Sequence, residues 1–278
     1  LLAPLTKGGN LPFRRLCADF GCEIALGEMV FARQLIGGSP LERARIRRAP
    51  NEKVFGVQIA TNDAEEGRRA VRLAADAGAD FVDLNCGCPI HEATRRGLGS
   101  AMLRKPERLA SLVHDIALDS PLPLTVKIRT AAAGRSINAR EVVRLVREAG
   151  ASAVTIHGRT SEQRYSRAAD WALIGQIVAE NAAAGGASRM PIIGNGDVLT
   201  HYEAERLMRT SGVDALMIGR AALTQPWSFQ NFYSRSEWQP NAFERVSIYR
   251  RLACYQKEHF GDDERGRQKA FNFLPWHF

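Results

Sequence analysis

Two thiols, Cys86 and Cys88, stand in the run Leu84-Asn-Cys-Gly-Cys-Pro-Ile90, directly after the apolar run Ala79-Asp-Phe-Val-Asp83. A thiol in the turn that leaves a buried strand sits at the mouth of a fold rather than in its core. With an ordinary pKa of about 8.5, such a thiol is mostly protonated at neutral pH and is a competent general acid. In an extended segment Cys86 shares the face of Cys88, so sequence geometry alone does not separate them. Gly87 and Pro89, which fix the turn, favour Cys88. A zinc site from Cys86, Cys88 and His91 has poor ligand spacing. Further on, Leu124-Thr-Val-Lys-Ile-Arg129 places a lysine inside an apolar run, and Val154-Thr-Ile-His-Gly158 ends one with a histidine. Three reactive side chains at strand ends, in alternating β/α units, point to one catalytic mouth.

The elements that must position them repeat. Helical periodicity over 66–77, 139–149 and 202–210 ends each time at a glycine, Gly78, Gly150 or Gly212, and a short apolar strand follows. Eight strands are expected, near 1–5, 23–30, 54–60, 80–85, 124–129, 153–158, 191–195 and 214–219. Apolar strands alternating with helices mean a parallel sheet, and eight such units over residues 1–235 fit an α/β fold of the (β/α)8 TIM-barrel type. After Gln225-Pro226 aromatics cluster, with core packing as the usual meaning of Trp227 and Phe229 and RNA stacking as the other. Ser234–Pro240 reads as a linker. Residues 236–278 read as the start of a C-terminal helical domain, helical and charged over 241–270. The apolar end, Phe271–Phe278, reads as the interior of a domain that has been cut short. Leu1-Leu-Ala-Pro-Leu5 already reads as a strand, so the N-terminus also looks trimmed.

The 278 residues are 45% hydrophobic, enough for a large core, and no apolar stretch reaches membrane-span length. Five cysteines without framework spacing suit a reducing compartment, with Cys17 and Cys22 as small buried hydrophobes. A net charge of +8, mostly arginine, suits a polyanionic partner such as RNA, or equally an arginine-biased but merely soluble surface. The basic run Glu42-Arg-Ala-Arg-Ile-Arg-Arg48 reads as a solvated helix face.

In a β/α barrel, functional residues lie at the carboxyl ends of the strands. Those ends carry Pro4, Leu5 and Thr6, then Glu28, Gln58, Asn85 to Cys88, Lys127 with Arg129, His157 with Arg159, Asn195, Gly196 and Asp197, and Gly219 with Arg220. The glycine-containing turns after strands seven and eight occupy the usual phosphate site of such barrels. With Gln58 and Lys127 available for a ring system, that site suits flavin mononucleotide (FMN), whose anionic reduced ring a lysine would stabilise. Gly97-Leu-Gly99 only weakly echoes a dinucleotide loop.

These residues resemble the tRNA-dihydrouridine synthases. The likeness rests on Asp83-Leu-Asn-Cys-Gly-Cys-Pro89 with Gly97-Leu-Gly-Ser-Ala-Met-Leu103, and on Ala3-Pro-Leu5, Val57-Gln58 and Val126-Lys-Ile-Arg129. His157-Gly-Arg159, Gly194-Asn-Gly-Asp197 and Ile218-Gly-Arg220 complete it, in family order. His157-Gly-Arg-Thr-Ser-Glu-Gln-Arg-Tyr165 with Ala169-Asp-Trp171 looks most like the eukaryotic type-three branch, which acts on a variable-loop uridine. The resemblance implies an FMN barrel joined to a helical tRNA-binding domain. It implies NADPH as electron donor, hydride delivery from the flavin to uracil C6, and protonation of C5 by the cysteine aligned with Cys88. Pro4, Leu5, Thr6, Gln58, Lys127, His157, Asn195, Gly196, Asp197, Gly219 and Arg220 fall on flavin-binding positions, and Asn85 and Arg129 on positions near the uracil. It further implies a monomer without metal or membrane attachment, in the cytoplasm or, in a eukaryote, an organelle or nucleus. Against that expectation the helical domain reads as cut short, and the zinc-finger region expected ahead of the barrel in eukaryotic members is not in this sequence. A barrel reducing a free pyrimidine or small enone shares the flavin site without needing a basic groove, and a catalytically silent RNA-binding barrel would lack the flavin.

Overall fold

A computed structural model describes residues 1–6, 8–185 and 189–272. Its centre is a parallel sheet built from β1 (Ile24–Leu26), β2 (Val30–Phe31), β3 (Val54–Ala60), β4 (Phe81–Cys86), β5 (Leu124–Arg129), β6 (Ala153–His157), β7 (Ile192–Asn195) and β8 (Ala215–Met217). The hydrogen-bonded path runs β1-β3-β4-β5-β6-β7-β8, with β2 alongside β3. Leu2 closes it, bridging Ala25 on one side and Ile218 on the other. The Leu2 amide donates to Ile24 O at 2.8 Å and the Ile218 amide to Leu1 O at 2.7 Å. The sheet is thus a ring in which no edge is left open, the architecture of a (β/α)8 barrel.

The expected strands are all present, two of them in altered form. The first is reduced to the bridge at Leu2. The second is broken, because Leu26 pairs with Gly56 whereas Val30 pairs with Ile59. Three residues, 27–29, therefore oppose two, 57–58, which is a bulge; it bends the strand and turns Met29 toward the barrel mouth. The helices Ala64–Asp76, Ala139–Glu148 and His201–Ser211 lie where periodicity puts them. The basic run at 42–48 is not a uniformly solvated helix face. The helix Pro40–Arg45 stops short of its end, Glu42 is buried against Arg45, and Arg48 is spent on the carbonyls of Glu52, Lys53 and Gly78.

Side-chain alternation sorts each strand into two faces. Val82, Leu84, Cys86, Val126, Ile128, Val154 and Ile156 pack outward into the main core under the helices. The barrel floor is a separate apolar cluster of Ala3, Leu26, Ile193 and Met217, with Leu1, Leu5, Phe81, Ala153 and Ala215 against it. Above that floor the inward positions are polar: Gln58, Asp83, Asn85, Thr125, Lys127, Thr155, His157 and Asn195. Register places them in rows, Gln58 beside Asp83 beside Thr125, then Asn85 beside Lys127 beside Thr155, then Arg129 beside His157 beside Asn195.

Beyond the barrel, the helix Ala242–Phe260 packs back on the helix Leu11–Asp19, and the helix Glu264–Phe271 packs on Ala242–Phe260. Trp227, 2% exposed, joins Leu16, Ile248 and Leu252 in the core of that contact. Phe229 is likewise buried, in the main core, so both aromatics serve packing. The expectation for the apolar end falls, from residue 273 onward, outside the described residues. Among the described residues no helix is long and apolar enough to cross a membrane.

Candidate active site

One cavity of about 780 Å³ opens at the carboxyl ends of the strands. Pro4, Leu5, Thr6, Gln58, Asn85, Cys88, Lys127, Arg129, His157, Asn195, Gly196, Asp197, Gly219 and Arg220 all line it. The expected catalytic, cofactor and substrate positions are thus brought together, whereas Glu28, Cys86 and Arg159, also read at strand ends, are buried and do not line the cavity. Their neighbours in the wall include Met29, Ile90, Tyr165, Leu199 and Met217.

The two thiols part company at the end of β4. Cys86 is its last outward residue, fully buried, with its sulfur 4.0 Å from that of Met102. The chain then turns. The Asn85 carbonyl oxygen Oδ1 accepts from the Cys88 amide at 2.9 Å and the Gly87 amide at 3.3 Å, and this turn swings Cys88 back to the cavity side. Gly99 stands directly behind it with φ +61°, and a Cβ there would lie 2.4 Å from Cys88 O. The Ser100 amide donates to that same carbonyl at 2.9 Å. Gly99 thus serves the cysteine turn. With Cys86 inside the core, it cannot share a metal with Cys88 and His91. Burial pushes the Cys88 thiol up, against the Ile90 backbone hydrogen bond and the charges of Lys127 and Arg129, so it carries its proton at neutral pH.

Lys127 projects from β5 into the barrel, its Nζ 3.2 Å from Asn195 Oδ1. Asn195 in turn donates to Met217 O at 2.8 Å, which fixes its amide. Burial lowers the Lys127 pKa to about 8, with Asp83 opposing and Arg129 adding to the shift. Arg129 donates to Thr160 O at 2.7 Å. His157 is surrounded by cations. Burial first, then Lys127, Arg129, Arg159 and Arg220, hold its imidazole neutral, with a pKa of about 2. Arg159 Nη1 lies 3.3 Å from His157 Nε2. A guanidinium only donates, so Nε2 accepts and the ring proton sits on Nδ1.

Asp197, at φ +54°, binds two arginines. Arg159 reaches both of its oxygens at 2.7 Å, Arg220 reaches one at 2.6 Å, and the Ala169 amide donates at 2.8 Å. Burial alone would raise this carboxyl. The hydrogen bonds of Arg159 and Ala169 and the charges of Arg159 and Arg220 outweigh it and hold the group below the usual carboxylate range. Arg220 also lies 4.3 Å above the ring of Tyr165. The Asp197 side chain is therefore an organiser of Arg220, and any contact of residue 197 with an anion belongs to its main chain. At Gly196, φ +121°, a Cβ would lie 2.7 Å from Ala169 Cβ, so the backbone passes closer there than a residue with a side chain allows.

The wall carries four cationic side chains, Lys127, Arg129, Arg164 and Arg220, against two acidic ones, Glu162 and Asp197. The cavity therefore attracts anions. A ring of parallel strands whose mouth holds a protonated thiol, a buried lysine and an arginine beside glycine turns is a β/α barrel with a cationic cavity at the carboxyl ends of its strands.

Comparison with known proteins takes this further. The family model described as dihydrouridine synthase matches residues 1–276, and the chain belongs to that family. A tRNA-dihydrouridine(47) synthase of Cryptococcus neoformans is 42% identical over 98% of this chain and 39% of its own length. A human protein named as tRNA-dihydrouridine(47) synthase-like is 38% identical over 98% of this chain and 41% of its own length. A protein of the same name from rice is 38% identical over 98% of this chain and 39% of its own length. The type-three resemblance is that of these relatives, and the chain spans about two fifths of their length.

Proposed function

We propose that this barrel is the catalytic part of a flavin-dependent tRNA-dihydrouridine synthase that reduces the C5–C6 double bond of a variable-loop uridine. The observation that carries the reading is the meeting of Cys88, protonated and cavity-facing, with Lys127 and the glycine turns at 196 and 219 around one cationic cavity.

FMN fits this cavity by charge, by size and by the close backbone approach at Gly196. Gly196, Gly219 and Arg220 would hold its phosphate, Pro4, Leu5 and Thr6 one side of the ring system, and Gln58, Lys127, His157 and Asn195 its polar edge. Held there and reduced by NADPH, a flavin would supply the hydride for uracil C6. Cys88 gives its proton to C5, and the thiolate left behind is stabilised by Lys127 and Arg129, both already acting on that thiol. Neutral His157 donates a hydrogen bond without adding charge. Asn85 and Arg129 flank the position of the uracil. A uridine in folded tRNA must leave its stack to enter, at a cost of a few kcal/mol, and a cationic mouth offsets part of it.

Residues 1–235 form the catalytic unit in this reading, and residues 236–278 begin a helical unit that contacts tRNA. The protein acts as a monomer on tRNA in the cytoplasm, nucleus or an organelle. Purified protein should be yellow and, with NADPH, should form dihydrouridine in unmodified tRNA. Reduction of free uridine but not tRNA would favour a small-molecule reductase, and a colourless, inactive protein a silent RNA-binding barrel.

A further inference from the structure

Behind the cysteine turn runs a chain of buried hydrogen bonds with a single direction. Thr125 Oγ1 donates to Asp83 Oδ1 at 2.7 Å, and Gln58 Nε2 donates to Asp83 Oδ2 at 2.8 Å. Asn85 Nδ2 donates to Gln58 Oε1 at 2.8 Å, and the Cys88 amide donates to Asn85 Oδ1 at 2.9 Å. Asp83 and Gln58 are each 1% exposed and Asn85 is 6% exposed, so water does not replace a lost partner.

A side-chain amide can face either way, and only its partners decide. At one end of this chain, the backbone N–H of Cys88 can only donate. At the other, both Asp83 oxygens accept; burial pushes this carboxyl up, while the Gln58 and Thr125 hydrogen bonds and the Lys127 charge favour its ionised form. Gln58 and Asn85 lie between and have one orientation that satisfies both ends. Gln58 is bonded at both its amide atoms, so it transmits the orientation of Asp83 to Asn85 and from there to the turn.

We infer that Asp83 is a positioning residue for Cys88: as the acceptor-only terminus of the chain Asp83–Gln58–Asn85, it sets the facing of both amides and holds the turn that presents the thiol. Asp83 does not itself line the cavity. That the thiol serves uridine reduction rests on the proposed function; that the chain holds the turn does not.

The test is a reversal of polarity. Asn85→Asp keeps an acceptor for the Cys88 amide but sets a carboxylate oxygen against Gln58 Oε1. Gln58 can turn over only by setting its oxygen against Asp83, so either one acceptor pair collides or a buried carboxyl must take up a proton, and both cost stability. Adding Asp83→Asn removes the collision. The new amide at position 83 then donates to the inverted Gln58, and Gln58 donates to the new carboxylate at position 85. That carboxylate still accepts from the Cys88 amide, and net charge is unchanged. Asp83→Asn alone is milder, because the Thr125 hydroxyl can rotate from donor to acceptor.

On the flavin-loaded protein, thermal melting and the pH-independent alkylation rate of the Cys88 peptide are measured for both single variants and the double. Asn85→Asp should lower Tm by about 5 °C, the shift expected from one buried polar conflict, and change the alkylation rate. The double variant should recover most of both. Should Asn85→Asp prove insoluble, a soluble double variant still supports the chain and an insoluble one overturns it. A double variant that melts at or below the sum of the single shifts also overturns it. None of these readouts needs tRNA or NADPH. Failure of the enzymatic reading would appear as absent dihydrouridine with the rescue intact; failure of the chain would appear as additive shifts in an active enzyme.

Discussion

Cys86 and Cys88 are two residues apart and lie on opposite sides of the barrel wall, one against Met102 in the outer core, the other in the cavity. Their different surroundings give them different expected phenotypes. Cys88→Ala should keep its flavin and its reduction by NADPH while losing uridine reduction. Cys86→Ala should retain uridine reduction and lose about 1 kcal/mol of stability, the usual scale for a small core truncation. Denaturant melts and single-turnover assays of both variants check the assignment.

Gly99 is the back wall of the same turn. Gly99→Ala places a methyl 2.4 Å from Cys88 O at a backbone angle that disfavours any side chain. Either the turn or the following helical segment Gly99–Arg104 must move. The expected outcome is a loss of uridine reduction by on the order of 100-fold, as small misplacements of a reacting group produce, with flavin content largely kept. The flavin absorbance and the rate of dihydrouridine formation are the two readings.

Lys127 should matter in two ways. Lys127→Ala should weaken flavin retention or slow flavin reduction, read as flavin lost on gel filtration and as stopped-flow rates. In the apoprotein, Lys127 titrates near pH 8 against about 10.4 when unfolded. Between those values the unfolded chain binds more protons, so this residue's penalty is full below pH 8 and relieved as pH rises. The Tm of wild type relative to Lys127→Met should therefore rise from about pH 7 to about pH 9.5.

Arg159 is 1% exposed and Asp197 is its counterion. Asp197→Ala should cost about 3 kcal/mol, the scale for stranding one partner of a buried pair, and should free Arg220 from its clamp. His157 adds an acid limit. Its neutral form is required in the fold, so its contribution is intact above about pH 6.5 and is lost as pH falls toward its folded value of about 2. His157→Gln should flatten the acid limb of the melting profile.

Much of this was legible in the chain because it depends on local rules. The helix Ala64–Asp76 and its two counterparts end at Gly78, Gly150 and Gly212, each at positive φ, and the strands that follow fall where expected. The strand ends were readable as a set because a barrel maps them to one rim. What was not readable depends on contacts across strands. The second strand's bulge follows from its pairing with β3, not from its own residues. The separation of Cys86 from Cys88 follows from the Asn85 turn, which alternation alone does not contain. Asp83 did leave a signal: it is a carboxylate within the apolar strand Phe81–Cys86, at the same inward parity as Asn85. Tyr165 left less, since its place beside Arg220 depends on how the loop after β6 folds over Asp197.

The most direct test mixes NADPH-reduced, anaerobic protein with unmodified tRNA and follows flavin reoxidation together with dihydrouridine. Wild type should reoxidise in step with one dihydrouridine per flavin, while reduced Cys88→Ala should stay reduced. Equal reoxidation and equal product in the two proteins would remove the cysteine, and with it the proposed meeting of ring and thiol in this cavity.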